Sequence, residues 1–113
     1  MQIKKIYENV NPEIVYDEVR DLILKYGAEV DESKLQTYSL PGGSSHISRG
    51  VLTFKMKGEQ TRTEKECLRV HIIGSVVGET KIILDIDETL FTPERISALE
   101  DDLNFIFETY ENK

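Results

Sequence analysis

Asp85 and Asp87 stand two residues apart at the end of an apolar run, in the stretch KIILDIDETLF from Lys81 to Phe91. Paired carboxylates are residue types that nucleophilic and acid-base chemistry uses. A second group of candidates lies upstream in TEKECLRVHIIGS, where Cys67, Arg69 and His71 alternate with apolar residues. A lone cysteine cannot close an internal disulfide, and with no Cys-His motif around it Cys67 reads as a small packed or half-buried thiol. His46 and His71 are the only histidines, too few, even with Cys67, to complete a zinc site. The loop Pro41-Gly42-Gly43-Ser44-Ser45 lacks the Gly-Lys-Ser/Thr run that opens a helix in a phosphate-binding loop. No cofactor is expected.

The Asp-x-Asp-x-Thr stretch resembles the opening motif of the haloacid dehalogenase superfamily, which would make Asp85 the nucleophile and Asp87 its partner. In that superfamily the motif opens a parallel α/β fold, and later strands bring a Ser or Thr, a Lys and further acids. Here only 22 residues follow Phe91, and they read as one helix. A structural reading competes. If Val76-Val77-Gly78 is a three-residue hairpin loop, Leu68, Val70 and Ile72 face Ile86, Leu84 and Ile82, giving one wholly apolar face. On the other face Arg69 lies opposite Asp85, Cys67 opposite Asp87 and His71 opposite Ile83. A slip of one residue would set both aspartates against the apolar row, so the pattern selects this pairing. Asp85 then has a cross-strand ion pair with Arg69 as its expected role.

These candidates must be positioned by a single domain spanning residues 1–113, a length that supports one core. Apolar residues make up 39% of the chain and charged residues 31%, a composition that folds rather than stays disordered. No apolar run reaches the ~18 residues of a membrane span. The segment MQIKKIYENV lacks the apolar centre of a signal peptide, so the cytoplasm is the expected location. The net charge of −7 argues against nucleic acid as the partner. Charge is uneven, however: residues 46–71 hold six basic and three acidic groups, whereas residues 72–113 hold three and ten. The middle could steer an anionic ligand, or face the acidic end of a second copy.

Two devices start helices. Asn11-Pro12-Glu13 and Thr92-Pro93-Glu94 each combine a capping side chain, a proline at the first helical position and an acid in the first turn. Val15, Val19, Leu22, Ile23 and Tyr26 form an apolar stripe that ends at Gly27, and Ile96, Leu99, Leu103, Ile106, Phe107 and Tyr110 form a second. Strands are expected before Asn11, over Leu35–Leu40, from His46 towards a turn at Gly58-Glu59-Gln60, and on either side of Gly78. The resulting order, β-α-β-β-β-β-α, predicts an α+β two-layer sandwich, mainly antiparallel, with both helices on one face.

That order resembles the TATA-binding-protein-like fold and a shortened helix-grip domain, in both of which a long C-terminal helix lies across an antiparallel sheet. The first resemblance implies use of the free sheet face on DNA, which Asp85 and Asp87 oppose. The second implies an apolar ligand between sheet and last helix, with Phe54, Leu103 and Phe107 as the pocket lining. The chain is therefore expected to be a non-enzymatic interaction module that takes a protein partner or a second copy on the face bearing Cys67, Arg69, His71, Asp85 and Asp87. The alternative is a small apolar-ligand-binding domain.

Overall fold

The computed structural model describes residues 1–39, 46–57, 64–75 and 78–108. The order is β1 (Gln2–Glu8), α1 (Pro12–Leu24), β2 (Glu29–Ser39), β3 (His46–Lys57), β4 (Glu64–Gly74), β5 (Glu79–Ile86) and α2 (Pro93–Phe107). Among the described residues the strands form one antiparallel sheet in the order β1-β5-β4-β3-β2, with the helices packed against it. The loop at 41–45, the turn at 58–60, Val76 and Val77 of the hairpin loop, and Tyr110 lie outside the described residues.

Both helices start where the capping residues place them. Asn11 accepts a hydrogen bond from the Glu13 amide at 2.9 Å, and Thr92 accepts one from the Arg95 amide at 3.3 Å. Each satisfies an amide that the first helical turn leaves unpaired. Past the end of α1, Gly27 has φ +89°, the left-handed stop for which a side chain carries a penalty.

Period-two alternation sorts the strand residues onto two faces. Ile3 and Tyr7 of β1, Ile82, Leu84 and Ile86 of β5, Leu68, Val70 and Ile72 of β4, and Leu52 and Phe54 of β3 are all buried. They meet Val15, Val19, Leu22 and Ile23 of α1 and Ile96, Leu99, Leu103 and Phe107 of α2 in one core. Phe107 stacks on Tyr7 with ring centroids 4.8 Å apart. A Cβ built on Gly50 would come within 2.7 Å of the Tyr16 ring, so α1 rests directly on β3 there. Both helices thus cover the same face, and among the described residues the opposite face carries no helix.

The register of β4 on β5 is the expected one: Leu68 with Ile86, Val70 with Leu84, Ile72 with Ile82, Arg69 with Asp85 and His71 with Ile83. The strand β2 begins six residues before the expected Leu35. Nearly all of it is exposed, so no apolar alternation marks it, and backbone pairing with β3 defines it. A bulge between Val30 and Glu32 is held by the Glu32 amide donating to Thr53 Oγ1 at 3.0 Å.

Candidate functional site

The DIDET stretch forms the junction between β5 and α2. Strand β5 ends at Ile86, so Asp87 is the head of a turn and not an outward strand residue as expected. Its Oδ1 accepts from the Thr89 amide at 2.9 Å and from Thr89 Oγ1 at 2.6 Å. Its carbonyl accepts from the amides of Leu90 and Phe91. The two bonds from Thr89 to its carboxyl, the hydroxyl first and then the amide, hold the Asp87 side chain below the ordinary aspartate range. The threonine of the motif therefore serves the turn, by the local side-chain bonding that short polar residues favour. Asp85 stays on β5 and accepts from Gln2 Nε2 at 2.9 Å.

The expected Arg69–Asp85 pair is replaced. Register does set the two opposite one another, but Arg69 Nη2 binds Glu66 Oε1 at 3.0 Å. A β-bulge is the cause: Phe54 pairs with Leu68 while Lys55 pairs with Glu66, leaving Cys67 as the extra residue of β4. Residues three apart on a regular strand face opposite ways, and the bulge brings Glu66 and Arg69 to one side. The same bulge corrects the expected place of Cys67. It is 1% exposed and belongs to the core, not to the open face. Burial, with the charges of Asp87 and Glu66 adding to it, pushes its thiol up to about 11. The thiol is neutral at ordinary pH and a poor nucleophile.

Cys67, Asp85 and Asp87 do meet, around an open groove of about 570 Å³ at the bulge, where Gln2, Glu66 and Ile86 also line the wall. Among the described residues no three His, Cys, Asp or Glu side chains are grouped so as to hold a metal ion. His71 lies further along, half-buried between Val51 and Ile83. The three residues expected to line a pocket lie between sheet and helices in the buried core: Phe54 and Leu103 are fully buried, and Phe107 is 2% exposed against Tyr7.

The open face holds a feature spread over all five strands. One row across the sheet reads Lys34, Val51, His71, Ile83, Lys4, and the next reads Gln36, Arg49, Ile73, Lys81, Ile6. These two rows carry four cations and no carboxylate, interleaved with four aliphatic side chains. Lys4, Lys34, Arg49 and Lys81 are exposed, as are Ile6 and Ile73. Acids flank the band: Glu8 and Glu79 pair beyond it at one end, and Glu32, Glu66 and Asp85 lie beyond it at the other. His71 and the basic middle segment are legible in the sequence but the band is not, because Lys4 becomes a neighbour of that segment only when β1 pairs with β5, and Lys34 only when β2 pairs with β3. The outward parity of each strand was the available signal.

On the helix layer the charge is reversed. Glu94, Ala98, Asp101, Phe105 and Glu108 are all exposed and lie at helical spacing on the side of α2 opposite its buried residues. Phe105 is 77% exposed, more than any other large apolar side chain described. Between the helices, the Tyr26 hydroxyl donates to Asp102. Burial, then the Asp102 carboxylate, pushes the phenol up to about 12. No family model matches the chain, and neither a curated protein nor a solved structure does.

Proposed function

We propose that the protein is a non-enzymatic interaction module whose open sheet face receives an acidic, partly apolar surface of a protein partner. The cation-and-aliphatic band across the five strands, free of carboxylates over two whole rows, carries this reading. Apolar side chains there supply contact area, while the four cations select the sign of the partner and speed its approach. The acids at both ends of the band would repel a phosphate backbone crossing the sheet, which favours a protein partner over nucleic acid. The two aspartates of the phosphatase-like stretch are engaged by Gln2 and Thr89, so the reading assigns them positional roles.

Amide chemical-shift mapping tests the proposal. The probe is a designed acidic amphipathic helix of Glu, Ala and Leu, about 15 residues long so as to span five strands. Perturbed amides at Val51, His71, Ile73, Lys81 and Ile83 are expected. Shifts there with a DNA duplex and none with the peptide would replace the reading by nucleic-acid binding, and no shifts with either would remove it.

A further inference from the structure

The band and the outer stripe of α2 match in charge, dimension and apolar content, and they belong to opposite sides of the same molecule. Two rows of one sheet face lie about 7 Å apart, a strip that one helix of about 10–12 Å diameter covers. Five strands span about 19 Å at the usual strand spacing, and the 15 residues of α2 span about 22 Å. The finer spacing also agrees. Asp101 and Glu108 are seven residues apart, about 10 Å along the helix, with Phe105 between them. Arg49 and Lys81 stand two strands apart, about 10 Å across the sheet, with Ile73 between them. Phe105 and Ile73 are among the most exposed large apolar groups of their surfaces, at 77% and 39%.

We infer that the partner of the open face is a second copy of this chain, whose α2 lies across the band with Phe105 on Ile73 and with Asp101 and Glu108 against Arg49 and Lys81. This rests on the reading of the open face as a binding surface and names its occupant. The donor and acceptor surfaces lie on opposite sides of each molecule, so the contact is head-to-tail. It does not close in a two-fold dimer, and each added copy presents a fresh band and a fresh helix. Assembly therefore grows with concentration, and it weakens with salt because the paired charges sit at an exposed interface.

Sedimentation of the intact chain and of two variants tests it. Phe105→Asp leaves the band intact and disables the helix, whereas Arg49→Glu with Lys81→Glu leaves the helix intact and disables the band. The wild type is expected to form species beyond the dimer at low salt and to return towards monomer in about 0.5 M salt, where the screening length is near 4 Å. Each variant alone is expected to be a monomer, and their equimolar mixture a heterodimer that stops at two copies. Phe105→Ala and Arg49→Ala with Lys81→Ala serve as milder partners if either reversal disturbs folding. A wild type that stays monomeric overturns the inference, as does a wild type that assembles while the mixture does not. If the designed acidic helix still maps to the band in that case, the binding reading stands and only its occupant is wrong. If the helix fails as well, both fall.

Discussion

The two faces of the sheet are built from the same strands, often from adjacent residues, yet they answer to different constraints. Leu84 on the helix face is fully buried in the core, and its neighbour Ile83 looks outward beside His71. On the covered face nearly every position is apolar, and a change of volume is felt by packed neighbours on two layers. On the open face charge and apolarity alternate, no layer among the described residues sets the volumes, and a substitution there should disturb the fold little. The difference separates residues that hold the fold from residues available to a partner.

The covered face should give the largest effects. Phe107→Ala removes the ring that stacks on Tyr7 and should cost about 3–5 kcal/mol in urea unfolding. A loss near 1 kcal/mol would show that the layer between sheet and α2 is loosely filled, and would return weight to the apolar-ligand alternative. Gly50→Ala forces a methyl against the Tyr16 ring and should cost about 1–3 kcal/mol. Combining it with Tyr16→Leu should recover part of that loss, and a purely additive double mutant would show that the close approach is not the cause.

The β5–α2 junction comes next in size. Thr92→Ala should cost about 1 kcal/mol by leaving the Arg95 amide without its cap. Asp87→Ala tests the turn through its pH dependence. A carboxyl held low in the folded state stabilises above its unfolded value of about 4 and loses that contribution as pH falls through its folded value. The stability gap between wild type and Asp87→Ala should therefore be widest above about pH 4 and shrink in more acidic solution. A gap independent of pH would mean that the charge of Asp87 does nothing for the junction. Substitutions on the open face should be the smallest, with Arg49→Glu and Lys81→Glu each within about 0.5 kcal/mol of wild type.

Much of the covered face was legible in the sequence because its signals are local. Cap, proline and acid mark each helix within three residues, and the hairpin register of β4 and β5 follows from one apolar row. The open face was legible only in part, for two physical reasons. The bulge at Cys67 resets the alternation without any change in composition, so Cys67 moved into the core and Arg69 turned from Asp85 to Glu66. The band draws its cations from β1, β2, β3 and β5, and strand order is a long-range property that no window of residues carries. Asp85 and Asp87 showed the converse, with a familiar spacing produced by a turn and an edge-strand hydrogen bond.

The most direct test of the division between the faces combines two readings on one protein, Arg49→Glu with Lys81→Glu. Its urea midpoint and its affinity for the designed acidic helix are measured beside those of wild type. The account predicts an unchanged midpoint and an affinity at least about tenfold weaker, a loss of roughly 1.4 kcal/mol or more. An unchanged affinity, with the fold intact, would contradict it.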